Sequence, residues 1–179
     1  MDAADLKADV LRRSKLDKEI RQRIIGSPSA DDHQALRLVD AENLEWLREV
    51  IRQFGWPQRS LVGADGAQGF WLLVQHADAD VDFQERCLEL LAAAADVDEA
   101  DAKLLAYLTD RVRIARGDRQ VYGTQCHVRE GAFMALPIED EDGVEERREA
   151  VGLPPLAEYL KEMAAVYGEP AGYQSRSER

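Results

Sequence analysis

Cysteine is scarce in this chain: it holds two, Cys87 and Cys126, and neither stands in a Cys-x-x-Cys pair. That argues against a disulfide framework and against a structural zinc site built on thiolates. Long apolar runs are missing as well. The run from Phe70 to Val74 has core dimensions and falls far short of the roughly 18 residues of a membrane span. Positive charge is in deficit, with 23 Lys and Arg against 35 Asp and Glu, a net charge of -12 at pH 7. A nucleic-acid binder needs a basic surface to displace counterions, and an anionic membrane repels an acidic one. No Lys/Arg-rich run breaks the pattern, so neither partner is expected. There is no glycine-rich phosphate loop, no Gly-x-Ser-x-Gly elbow and no His-Glu-x-x-His. The opening Met1-Asp2-Ala3-Ala4-Asp5 is acidic with no apolar stretch after it, so a secretory signal is not expected and a cytoplasmic location is.

What is present is an ordinary globular balance over 179 residues, 45% hydrophobic and 32% charged, enough to bury a core as one domain. Residues 5 to 25 carry Leu6, Val10, Ile20 and Ile24 at helical intervals, and Gly26-Ser27-Pro28-Ser29 reads as a turn. Asp40 is placed to cap a helix through Leu44, Leu47, Ile51 and Phe54, ended by Gly55-Trp56-Pro57. After a loop to Gly63, Ala67 to Ala77 is apolar almost all round and long enough to favour a helix. Asp80 caps the next, with Phe83, Cys87, Leu90, Leu91 and Ala94 on one stripe. Asp98 caps another, with Leu104, Leu105, Leu108 and Val112 inward and Gly117 closing it. Gln120 to Met134 is β-prone around Arg129-Glu130-Gly131, which predicts a hairpin. Asp142 to Glu145 has capping-box spacing for a helix ending near Gly152, and Leu156, Leu160, Met163 and Val166 mark a last one. The expected fold is mainly α: six or seven helices and one small β-hairpin. An N-terminal helix (1–30) would pack on a helical core (31–167) with its hairpin near 120–135, and 168–179 would form a flexible tail.

Three groups of residues have the chemistry of a site. His76, beside Leu72 and Leu73, would be partly buried, and its side chain is the one most easily poised for proton transfer near neutral pH. Asp78 lies near enough to orient it; equally, His76 could be a core-edge histidine bonded to a carbonyl, with Asp78 a cap. Arg111, flanking the Leu104–Leu108 stripe next to Asp110, either pairs with a buried carboxylate or binds an anion through its planar fork. Gln120, Tyr122 and Thr124 would share one face of a strand, with Gln125 on the other, which fits a ligand or simply a solvated hairpin. Gly123 between them allows close backbone approach. Arg147-Arg148 is a basic pair that is as readily plain surface. A metal site from His76 and Asp78 matches no ligand spacing.

Taken together, several motifs resemble a bacterial family known as domain of unknown function 6624. They are Gly55-Trp56-Pro57, Leu61-Val62-Gly63, Gln75-His76-Ala77-Asp78, Phe83-Gln84 and Ala106-Tyr107-Leu108-Thr109-Asp110-Arg111. Gln120 with Tyr122-Gly123-Thr124-Gln125, Pro137-Ile138-Glu139-Asp140, Arg147-Arg148 and Gly152-Leu153 complete the series, over residues 40 to 163 or so. The resemblance brings no chemistry, but it implies that these polar motifs form a set.

Two functions follow as expectations. In the first, the chain is an enzyme acting on a small polar or anionic molecule without a cofactor. His76 is the acid or base, Asp78 or Asp110 orients it, Arg111 or Arg148 binds the anion, and Gln75, Gln120, Tyr122 and Gln125 hold the substrate. In the second it is a binding or interaction module, a sensor, immunity or accessory protein, in which the same groups form a network without chemistry.

Overall fold

Apolar residues recurring at three- and four-residue intervals fold into seven helices among the described residues: α1 (Ala3–Ile24), α2 (Ala30–Phe54), α3 (Arg59–Gln75), α4 (Val81–Ala95), α5 (Ala102–Arg116), α6 (Val144–Ala150) and α7 (Leu156–Tyr167). Strands β1 (Cys126–Arg129) and β2 (Ala132–Ala135) pair antiparallel, with Cys126 opposite Ala135 and Arg129 opposite Ala132. This computed structural model describes residues 2–25, 29–129 and 132–167. The fold is mainly α with one hairpin, as the periodicity predicts. The predicted turn at 26–28, the hairpin tip at 130–131 and the tail from 168 lie outside the described residues.

The chain divides into two compact units, Met1–Leu108 and Thr109–Arg179, with the boundary inside α5. In the first, α1 packs on α3 and α2. Its stripe is Leu6, Val10, Ser14, Asp17 and Ile20, all buried. α3 admits α1 closely because glycines face it: a Cβ on Gly69 would lie 2.9 Å from Val10 Cγ1 and 3.0 Å from Ser14 Oγ. Leu47, Val50, Phe70, Leu73 and Leu91 fill the core, and the Trp56 ring meets Phe70 edge-on at 5.3 Å. In the second unit α7 packs on β2 and α6, with Tyr159 and Ile138 buried.

Several helix ends differ from the sequence expectation. α2 begins ten residues before Asp40, at a Ser29–Asp32 capping box, so Asp40 is a mid-helix residue and not a cap. α3 begins at Arg59 and breaks at Gly63 (φ 75°, ψ 168°), where a loop was expected. Asp80 does cap α4, accepting from Phe83 N at 3.0 Å. Asp98 sits at φ 59° and Asp101 takes the capping role for α5, accepting from Lys103 N at 2.9 Å. α6 carries no side-chain cap at its Gly143 start. On α7 the buried anchor is Tyr159, while Val166 is exposed.

Candidate functional site

His76 ends α3, and the turn that holds it is set from α4. Gln84, fully buried, directs its amide nitrogen at Val74 O (3.1 Å), Gln75 O (3.1 Å) and Asp78 Oδ1 (3.2 Å). The Gln84 amide thus donates to carbonyls at the helix end, where intrahelical donors run out. The His76 ring then meets α1. Its Nδ1 lies 2.8 Å from Asp17 Oδ2, and the Asp17 side chain has no solvent exposure. Because a carboxylate only accepts, the hydrogen of this bond lies on Nδ1, and Nε2 takes no part in it. Nε2 has no hydrogen-bond partner among the described residues, and the ring is 18% exposed. Arg21, one turn along α1, donates its Nε to Asp17 Oδ1 (3.1 Å) and an amino group to Asp40 Oδ1 on α2 (2.6 Å). Burial holds the Asp40 carboxyl above its ordinary value, against the opposing pull of Arg21.

The sequence reading singled out Asp78 as the partner of His76; Asp17 occupies Nδ1 instead, and Asp78 accepts from Gln84. The signal for Asp17 was present. It sits on the α1 stripe between Val10 and Ile20, and an aspartate on a buried helix face needs a partner.

Gln75, the last residue of α3, stays in the first unit, while Asp110, Arg111, Gln120, Tyr122, Gln125 and Arg148 belong to the second, around a loop, residues 120–125, that forms no strand. Asp110, fully buried on α5, accepts from Val121 N (2.7 Å), Tyr122 N (3.0 Å), Thr124 N (2.8 Å) and Thr124 Oγ1 (2.9 Å). Gln120 gives its amide to Gln125 O (3.0 Å) and Leu136 O (2.7 Å) and accepts from Gln125 N (2.8 Å). Arg148, also fully buried, donates to Pro154 O (2.7 Å) and Tyr122 O (2.6 Å) and lies over the Tyr159 ring at 5.2 Å, while Tyr159 donates to Thr124 O (2.9 Å). Backbone bonds tie the loop only at its ends, with Gln120 bridged to Ile138 and Gln125 O accepting from Leu136 N, while side chains satisfy the groups between, which is why β-prone residues here form a clamped loop and the strand starts only at Cys126. Gly123, at φ 73°, passes under Leu156 and Ile138. Arg111 reaches Gln125 Oε1 at 3.4 Å, and Arg111, Tyr122 and Gln125 are all half-buried.

The described residues therefore present two polar assemblies, one in each unit. Around His76, one imidazole nitrogen has no hydrogen-bond partner among the described residues; around Asp110, Gln120 and Arg148, the polar atoms hold the backbone. No group of three or more His, Cys, Asp or Glu side chains among the described residues converges to hold a metal ion. No described helix is long and apolar enough to cross a membrane. Burial raises both thiols, Cys87 to about 12.

The model of a family of unknown function (DUF6624) matches residues 4–171. The chain belongs to that family. The DUF6624 match extends over α1, so it takes in Asp17 and Arg21 together with the His76, Gln84 and Asp110 motifs. No curated protein and no solved structure matches the chain.

Proposed function

We propose that this protein is an enzyme that uses acid–base chemistry on a small polar or anionic molecule, with His76 as the proton-transferring group. The observation that carries this reading is the Asp17–His76 pair: a fully buried carboxylate on Nδ1 at 2.8 Å, with Nε2 unpartnered among the described residues. A buried carboxylate on one ring nitrogen fixes the tautomer and stabilises the imidazolium that forms when the other takes a proton. Arg21 donates to both Asp17 and Asp40, and Asp40, raised by burial, is a second carboxyl on the same network. Asp17 is a positioning residue, and Gln84 places the turn that carries His76. A bacterial, cytoplasmic setting, with neither nucleic acid nor membrane as partner, belongs to the same proposal. The acidic composition and the two unpaired thiols support it.

The test is a turnover screen on small esters, amides, phosphoesters and hydroxy acids, followed by His76→Gln and Asp17→Asn on whatever substrate responds. His76→Gln should remove turnover, a loss on the order of 100-fold or more, while the melting midpoint moves little. Asp17→Asn should lower kcat more than it raises KM and should shift the ¹⁵N signals of the His76 ring toward the other tautomer. Full turnover in His76→Gln would end the proposal.

A second reading, a non-catalytic binding or interaction module, draws on the second unit. There Asp110, Gln120 and Arg148, all read from sequence as site residues, direct polar atoms at the backbone of their own loop. If His76→Gln chiefly lowers the melting midpoint and no substrate responds, that reading prevails.

A further inference from the structure

Apart from the His76 network, the first unit holds a cavity of about 290 Å³ lined by Trp56, Arg59, Gln68, Leu91, Asp101 and Leu104, with alanines 64, 67 and 100 between them. The break of α3 at Gly63 separates the turn bearing Arg59 from the stretch bearing Ala64, Ala67 and Gln68, and the recess lies against both. Its floor is apolar and buried, formed by Trp56, Ala67, Leu91 and Ala100. Its rim is polar and reaches solvent: Arg59 is half-buried, while Gln68 and Asp101 are exposed.

The rim groups have capacity to spare. Asp101 spends Oδ1 on the α5 cap, and no hydrogen bond reaches its Oδ2 among the described residues. Among the described residues the indole N–H of Trp56, a residue only 6% exposed, likewise has no acceptor, and the Gln68 amide has no partner. Arg59 lies in the field of Glu99, whose carboxylate is itself committed to Ser60 N at 2.8 Å. A cation, an anion and neutral donors thus surround a hydrocarbon floor, in a volume at the small end of ligand sites, roughly 300 Å³.

We propose that this cavity binds a small zwitterion with a short branched hydrocarbon body, of the α-amino acid class. Arg59 and the Trp56 N–H take the carboxylate, Asp101 takes the ammonium, and the body lies on Leu91, Leu104 and the alanines. Opposite charges on the rim of one cavity select a molecule carrying both, because a ligand with either charge alone leaves one of the two rim groups without a ligand partner. The site is separate from the acid–base site. His76 lies eight residues or more beyond Gln68 on α3, about 12 Å along the axis at roughly 1.5 Å per residue.

Calorimetric titration of the full chain with L-leucine, 4-methylpentanoate and isopentylamine tests this. Leucine should bind and raise the melting midpoint, and each half-ligand should bind roughly tenfold more weakly or worse. Arg59→Ala and Asp101→Asn should each weaken leucine about tenfold, with Asn keeping the cap oxygen. Ala64→Phe, at an exposed position on the cavity wall, should abolish binding without unfolding the chain. His76→Gln should bind leucine as the unaltered chain does, so the two sites stand or fall separately. Silence from leucine up to about 10 mM, equal binding of a half-ligand, or binding that survives both Arg59→Ala and Ala64→Phe each overturns the proposal.

Discussion

Asp110 and Asp17 are both buried aspartates, and their partners give them opposite tolerances. Asp110 receives donors on both oxygens, Val121 N on Oδ1 and Thr124 N with Thr124 Oγ1 on Oδ2. An asparagine there points an NH₂ at backbone N–H groups whichever way the amide turns. Asp110→Asn should therefore cost about 3 kcal/mol, read as a lower urea midpoint. Asp17 faces one guanidinium and one imidazole, and an asparagine satisfies both by giving its oxygen to Arg21 and its NH₂ to a re-tautomerised His76. Asp17→Asn should stay folded at the temperature where Asp110→Asn melts. Gln84 is the residue on which the His76 turn hangs. Gln84→Leu keeps the volume but leaves Val74 O and Gln75 O without their side-chain donor, and should cost about 2 kcal/mol by the same measurement. None of these distinctions is visible in the sequence. Asp17 and Asp110 each sit on an apolar helical stripe, and what separates them is the donor that a distant segment brings.

Helices were legible to the extent that their own residues determine them. Leu44, Leu47 and Ile51 repeat at the helical period, and Asp80, the Gly55 end and the Gly117 end came through, because cap and stripe lie within one turn of each other. The start of α2 was missed because residues 30–39 lack a full apolar stripe, and the Ser29–Asp32 box alone marks it. The 120–125 loop was missed because its backbone partners, Asp110 and Arg148, lie in other elements. Cap chemistry makes its own prediction. The hydrogen bond from Arg48 at 2.5 Å, followed by the Phe83 N–H, holds the Asp80 carboxyl below the usual carboxylate range. A depressed native value means that its stabilisation is present above the unfolded value and is lost as pH falls through the folded one. Asp80→Asn, which keeps the cap oxygen, should then lower stability by about 0.5–1 kcal/mol near neutrality and by nothing measurable near pH 2. At the α1–α3 crossing, Gly69→Ala gains about 1 kcal/mol of helix propensity but sets a methyl against Val10 and Ser14 at 2.9 and 3.0 Å. Both neighbours sit on a buried helix face and cannot swing away, so overpacking of about 1–3 kcal/mol decides the sign and the melting midpoint should fall.

Over the whole chain, charge sets how stability responds to pH. At pH 7 the excess of 35 acidic over 23 basic residues leaves -12, and the folded state carries that repulsion at closer quarters than the unfolded chain does. Lowering pH toward the isoelectric value near 4.7 relieves it. Asp40 pulls the same way: burial raises its native value, so the folded state binds its proton more tightly and stability declines as pH rises through that value. Acting oppositely, Asp32, Glu49, Asp65, Asp80 and Glu99 are held below the usual range by hydrogen bonds from Ser29, Arg52, Lys7, Arg48 and the Ser60 N–H, in that order. Their contribution is intact above about pH 4 and drains away below it. The two trends cross near the isoelectric point. The melting midpoint, followed by circular dichroism in dilute solution, should rise from about pH 8 to about pH 5 and then drop steeply by about pH 3. Asp40→Asn should remove that residue's share of the decline above the ordinary carboxylate value and leave the lower limb in place. A midpoint that climbs without a break down to about pH 3 would mean that repulsion outweighs all five bonded carboxylates together.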